Sequence, residues 1–375
     1  MKLILHIGTH KTATTSLQHF FALNRQRFIT QGFFYPENQD SAYVFNFLAS
    51  RIAFGKQQEA ADFLAKACQQ AEKANCHTVL ISGESFYAMT GFFFDLQKRS
   101  RIDDYWTHEE RLVQAVKKCC AGYEDVRIVC IFRPQAELAG SLYNQMVKNT
   151  FGISESYAEF LGETRPLYDY DRHIALWEAV FGKDHIVLKN FLAIRHDVIR
   201  DFCQSFLNEA CFERAEVKEL EANTRLNRDV LEVKRLYNAV KPDPALAFVS
   251  ARTFRAINDH FPDQKGYHIF SGSDEQKAYF GHYQDGNDRL CGSYGIEPLA
   301  AFNGNGEPTY PGLSAEMTAK VYLQFCDSLY SPWNRMEVFL RRCARFVMEA
   351  LPGGKKVMAP VRRLHNFLRL RFSGW

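Results

Sequence analysis

No Cys-x-x-Cys pair and no Cys/His cluster at metal-ligand spacing occurs among the ten cysteines, so a zinc site is not expected. Two of them, Cys119 and Cys120, are adjacent, and the scatter suits reduced thiols in an intracellular compartment. No run of eighteen uncharged apolar residues is present, which excludes a membrane-spanning helix. A large excess of one charge is missing too, and a net charge of +3 gives no ground for a nucleic-acid partner. Repeats and low-complexity tracts are absent. What remains, 46 % hydrophobic and 24 % charged over 375 residues, is a globular composition. The length allows one large domain with elaborations, or two domains.

The most informative stretch is at the start. Residues 3–7 are mostly apolar and too few for a helix, so they read as a buried strand. Gly8 and a hydroxyl-rich turn follow, and then a helical pattern with Leu17, Phe20, Phe21 and Leu23 on one side. A strand feeding through such a turn into a helix points backbone N–H groups and the positive end of the helix at one spot, which is a phosphate site. Lys11 adds a full charge, while Thr12, Thr14, Thr15 and Ser16 add hydroxyls. An ATP- or GTP-type loop needs a second glycine where this chain has Ala13, and its lysine comes later.

Further strands are expected at 78–82, 127–132 and 185–188, with helices at about 41–53, 57–74, 108–120, 134–146 and 170–181. Continuous apolar strands alternating with helices predict an α/β fold, a parallel sheet flanked by helices on both faces. Ligands in such sheets bind beyond the carboxyl ends of the strands. The loop after Ile7, Glu84 after Ser82, and Arg133 after Phe132 all fall on that edge. Arg133 can fork donors onto a phosphate, and Ser141, eight residues on, can add a hydroxyl. Beyond residue 200, helices are expected at about 197–208, 229–240, 244–260 and 274–294, with a loop at 303–311 and helix again from 313.

Lys11-Thr12-Ala13-Thr14-Thr15 resembles the Lys-Thr-Gly-Thr-Thr phosphosulfate loop of sulfotransferases that use 3′-phosphoadenosine 5′-phosphosulfate (PAPS). The one departure, Ala13 for glycine, removes the freest backbone position of the loop. Ile131-Phe132-Arg133-Pro134 with Gly140-Ser141-Leu142-Tyr143 is similar to that family's 3′-phosphate site. Fainter likenesses lie around Asn223–Asn227 and Asp285–Leu290. The resemblance covers about residues 2–295. It implies a P-loop-like fold, with residues 1–300 as the sulfotransferase domain and 301–375 as a helical, basic C-terminal extension. It also implies PAPS as cofactor, 3′-phosphoadenosine 5′-phosphate (PAP) as product, and no metal. Gly8, Thr9, Lys11, Thr12, Ala13, Thr14, Thr15, Ser16, Arg133 and Ser141 would bind the cofactor.

Among candidates for chemistry, Lys11 would neutralise the leaving phosphate, and Glu84 would take the acceptor's proton, with His10 second in line. His108 and Glu109 are placed at a loop–helix start. Tyr105 and Trp106 are read as core packing or a sugar-stacking pair. The expected acceptor is a hydroxyl or amine of a glycan, glycolipid or other small hydroxylated molecule. Rival readings are a nucleotide or small-molecule kinase and a nucleotide-binding scaffold. The short apolar run before the loop is not a signal-peptide pattern, so a cytoplasmic location is expected.

From Leu351 to Trp375 no residue is acidic, while Lys355, Lys356, Arg362, Arg363, Arg369 and Arg371 are basic among apolar neighbours. Residues 353–375 therefore read as a segment for an anionic membrane surface on the cytoplasmic side, with packing on the body or a partner subunit as the alternative. The preceding stripe of Met336, Phe339, Leu340, Cys343, Phe346 and Val347 is expected to pack on the body.

Overall fold

The structure is a computed structural model describing residues 1–37, 45–93, 102–150, 152–213, 215, 225–240, 243–261, 273–299 and 310–350. Five strands, β1 (Lys2–Gly8), β2 (Phe33–Phe34), β3 (Thr78–Ser82), β4 (Asp125–Phe132) and β5 (Ile186–Asn190), form one parallel sheet ordered β2-β3-β1-β4-β5. Consecutive residues of β1 and β3 are buried, which requires cover on both faces of the sheet. The expected α/β architecture is present. Edge strand β5 instead alternates buried and half-buried residues, and it starts at Ile186, one residue later than expected, because His185 closes a 3₁₀ turn.

The chain leaves central β1 through α1 (Thr14–Leu23) and α2 (Arg25–Thr30) to β2. Helices α3 (Asn46–Ala53) and α4 (Gln57–Lys73) lead to β3, and α5 (Met89–Phe93) and α6 (Ile102–Cys119) lead across to β4 on the other side of β1. The loops after β3 and β4 therefore flank the loop after β1, the crevice position of an open parallel sheet. Helices α7 (Gln135–Lys148), α8 (Tyr157–Glu163) and α9 (Tyr170–Phe181) precede β5, and α10 (Phe191–Ile194) and α11 (Val198–Phe206) follow it. On α1, Phe20 and Phe21 pack with Phe28, Tyr35 and Phe202 at ring separations of 5.2–5.8 Å. Leu23, expected on the same face, is 42 % exposed at the last helical position.

The described residues group into two compact units whose sequence segments alternate. The first draws on 1–143, 156–223 and 268–309 and holds the sheet. It also contains α14 (Ser273–Gly281) and α15 (Gln284–Tyr294), which break at Tyr283 where one helix was expected. The second draws on 144–155, 224–267 and residues from Tyr310 onward. Its helices are α12 (Arg228–Ala239), α13 (Pro244–Ile257), α16 (Ala315–Leu329) and α17 (Pro332–Ala350). Asn227, Asp243 and Ser314 cap the first three of these through their side-chain oxygens. Phe254 of α13 stacks on Phe325 of α16 at 4.4 Å. The basic tail and the loop expected at 303–309 lie outside the described residues.

Glu109 lies inside α6 rather than at a loop–helix start, fully buried, and accepts the N–H groups of Met89 (2.9 Å) and Thr90 (2.7 Å). It thereby closes the first turn of α5. His108 meets the Thr90 hydroxyl at 3.0 Å, and the Tyr105 hydroxyl meets His173. Arg172 lies over the Trp106 ring at 4.3 Å. Tyr105, Glu109 and His173 are buried in this group, while Trp106 and His108 are half-buried. Burial raises the Glu109 carboxyl from 4.5 to about 7 against the pull of its hydrogen bonds from Thr90 and Met89. Its folded pKa is the higher one, so its contribution is complete below pH 4.5 and is lost as pH rises through about 7. Urea unfolding of Glu109→Gln from pH 5 to pH 8 should show a flatter decline than the parent; parallel curves would contradict this.

Candidate functional site

The loop after β1 is held on two sides. The Thr9 N–H and hydroxyl both donate to the Ile131 carbonyl at the end of β4 (2.8 and 3.1 Å). The Thr12 hydroxyl closes the turn onto the Thr9 carbonyl at 2.7 Å. Toward β3, the Gly83 and Tyr87 N–H groups donate to the His6 and Ile7 carbonyls (2.9 and 3.1 Å). Gly8 has φ +113°, and a Cβ there would lie 2.9 Å from the Glu84 carbonyl oxygen, so only glycine permits this approach.

Lys11 and Ala13 take left-handed φ values of 64° and 59°. Alternation of this kind turns successive N–H groups inward, and α1 begins at Thr14 without a side-chain cap. Among the described residues, no protein acceptor takes the backbone N–H groups of residues 10–16. The result is a concave set of unmade donors at a helix start, suited to a phosphate. Ala13 thus holds a left-handed conformation that a glycine would take freely. Thr12 and Thr14 are buried, Ser16 is half-buried and Thr15 is exposed.

His10 Nδ1 lies 3.8 Å from Glu84 Oε1, and its Nε2 is buried without a hydrogen-bond partner among the described residues. Burial lowers the imidazole from 6.5 to about 4, outweighing the opposing pull of Glu84, so the ring is neutral near pH 7. Burial alone would raise Glu84, but the His10 ring, a backbone N–H and the Gln18 amide together bring its carboxyl below the ordinary value. Gln18 Nε2 donates to Glu84 Oε2 at 2.7 Å and to the Ser82 carbonyl at 3.2 Å. Lys11 is lowered too, first by burial and then by Arg133, with Glu84 opposing.

Arg133 reaches the loop from β4. Its Nη1 donates to the Lys11 carbonyl at 3.1 Å and its Nε to Glu137 at 2.9 Å. Tyr170 holds the Arg133 carbonyl at 2.7 Å. The structure thus brings His10, Lys11, Glu84 and Arg133 to one sheet edge. Ser141 sits farther along α7, half-buried, with no direct contact to these groups among the described residues. Asn227 is a helix cap, and Asn287 exchanges 2.7 and 3.1 Å hydrogen bonds with Gln135; Asn223 lies outside the described residues.

No protein-family model and no curated protein matches this chain. Among solved structures, a crystal structure of a sulfotransferase from Alicyclobacillus acidocaldarius aligns with 64 % of this chain and 96 % of its own. The identity is 15 % and the TM-score 0.36. The likeness is one of chain trace, and no residue's role follows from it.

Three participants escape sequence reasoning. Gln18 carries a signal, being a polar residue among the buried positions Leu17, Phe20 and Phe21 of α1. Asn46, which accepts the Ser85 N–H at 3.0 Å, and Phe92, whose ring lies 4.1 Å from that of His10, carry none. Both come from segments distant in sequence.

Gly8→Ala should lower stability by about 1–3 kcal/mol, from the strained φ and the clash with Glu84. Ala13→Gly should change it by no more than about 1 kcal/mol, relief of the left-handed strain being offset by the freer unfolded chain. Urea midpoints compare the two, and a harmless Gly8→Ala would show that the two loops do not need this close approach.

Proposed function

We propose that this chain is a sulfotransferase that transfers a sulfuryl group from PAPS to a hydroxyl or amine of a glycan or glycolipid acceptor. The observation that carries the reading is the set of unmade N–H groups at residues 10–16, flanked by Lys11 and Arg133 and adjoining His10 and Glu84. Two phosphates and a departing negative charge call for such a donor-rich, cationic edge. A proton-accepting pair beside it suits an acceptor that must lose a proton.

PAPS would supply the sulfuryl group, its sulfur–oxygen bond to phosphate breaking as the bond to the acceptor forms. The loop N–H groups and the hydroxyls of Thr12, Thr14, Thr15 and Ser16 would hold the 5′-phosphate. The Lys11 ammonium neutralises charge as it grows on the leaving oxygen, which is worth more in a half-buried place than in water. Arg133 and Ser141 would take the 3′-phosphate, for which Arg133 exchanges its Glu137 partner. The acceptor's proton goes to Glu84, with the neutral His10 ring beside it as the second acceptor.

Thermal shift should show PAP binding without metal, more tightly than AMP or ATP–Mg²⁺. Loss of a forked charge-assisted contact costs about 2–3 kcal/mol, so Arg133→Ala should shrink the PAP-over-AMP preference by tens of times. Glu137→Gln, which frees the guanidinium, should raise PAP affinity a few-fold. Equal affinity of the parent for PAP and AMP would sink the assignment. In sulfuryl-transfer assays, Lys11→Ala should cut turnover strongly. Glu84→Gln should keep PAP affinity and lose about a hundredfold in turnover. Retained turnover in Glu84→Gln, with loss in His10→Asn, moves the proton to the histidine.

A further inference from the structure

Helix α17 of the second unit is inside out. Its polar residues face its own unit: Arg252 of α13 donates to Asn334 Oδ1 at 2.6 Å and pairs with Glu337 at 2.7 Å. Arg341 pairs with the same Glu337 at 2.8 Å and lies over the Phe248 ring at 4.6 Å. Met336, Phe339 and Leu340, spaced to share one side, are instead 47 %, 65 % and 55 % exposed. This reverses, for these three residues, the expectation that the stripe packs on the body; the side chains of Cys343, Phe346 and Val347 lie outside the described residues. The sequence continues the same row with Cys343, Phe346 and Val347. The preceding helix α16, whose Val321 and Phe325 are buried, also exposes Tyr322 and Leu323, and Tyr330 just after it is exposed too.

An apolar stripe opposite a satisfied polar face calls for an apolar partner. Charge decides which. Glu337, the acid among the described side chains of α17, is turned inward between two arginines, whereas Arg335 and Arg342 are exposed on the flank of the stripe, Arg342 lying 3.8 Å from Asp243. From residue 315 to the C-terminus there are eleven basic and four acidic residues, while the whole chain carries only +3. Six of those basic residues and none of the acids fall in 351–375, so the positive excess lies in the sequence that directly follows the apolar face. A second copy docked through the same face would oppose two such excesses, and the acid-free segment 351–375 would meet like charge if it folded back. An anionic bilayer complements both features, taking the apolar residues and pairing with the arginines.

We propose that the exposed apolar stripe of α17, formed by Met336, Phe339 and Leu340, is a docking surface for an anionic lipid bilayer. The full-length protein should float with vesicles containing phosphatidylglycerol and not with vesicles of phosphatidylcholine alone, and added salt should weaken the binding. Phe339→Glu with Leu340→Glu changes two solvent-facing positions and leaves the basic tail intact. It should weaken vesicle binding at least about tenfold while circular dichroism and PAP binding stay unchanged. Arg335→Ser with Arg342→Ser should weaken it several-fold and remove most of the salt dependence. Vesicle binding of the Phe339/Leu340 variant equal to the parent's would overturn the proposal. So would a parent that ignores vesicles but has a dimer's mass by light scattering, reduced to a monomer's by that variant.

Discussion

The turn after β1 leaves a run of backbone donors without acceptors among the described residues, and much of the first unit is arranged to hold them so. An unmade buried N–H costs free energy. Such a turn survives only if neighbouring bonds hold it, as the Thr9 links to Ile131, the Thr12 closure and the Gly83 and Tyr87 amides on β1 do here. Central placement of β1 follows from the same need, since only an inner strand has neighbours whose end loops grip it from both sides. The donor set is therefore a product of strand order as much as of loop sequence.

Electrostatics at this edge depends on burial with few nearby opposite charges. His10 stays neutral because its environment does not solvate a cation, although a carboxylate lies beside it. Glu84 stays ionised because Gln18 and the backbone donate to it. A neutral base against a hydrogen-bonded carboxylate can receive a proton without prior rearrangement, while Lys11 and Arg133 supply the positive potential that a polyanion requires. One edge thus places the Glu84 carboxylate on the β3 side and the Arg133 guanidinium on the β4 side of the same loop.

The second unit follows a different logic. Its interior is built from capped helices and an aromatic stack, and among the described side chains an ion-pair network ties α17 to α13. Hydrogen-bonded charge pairs satisfy one another at that contact and leave the apolar side available. The sheet-bearing unit buries most of its large apolar residues, Leu23 and Phe54 being exposed.

Local periodicity was enough for the strand at 78–82 and the helix at 170–181, both of which appear at those bounds, because each is a short apolar run or a 3.6-residue pattern closed by clear end signals. Strand–turn–helix order also brought the Lys11 loop, Glu84 and Arg133 to one edge, since every parallel strand ends there. Sequence alone did not reveal the break at Tyr283, the core position of Glu109 inside α6, or the outward turn of Met336, Phe339 and Leu340. A helical pattern states that a helix has an apolar side but not which side meets the rest of the protein. That choice was made by Arg252, Arg341 and Phe248, which come from other turns and another helix, and only tertiary packing brings them to Glu337. Gln18 and Asn46 joined the site for the same reason, because hydrogen-bond geometry between segments far apart in sequence leaves no local periodic trace.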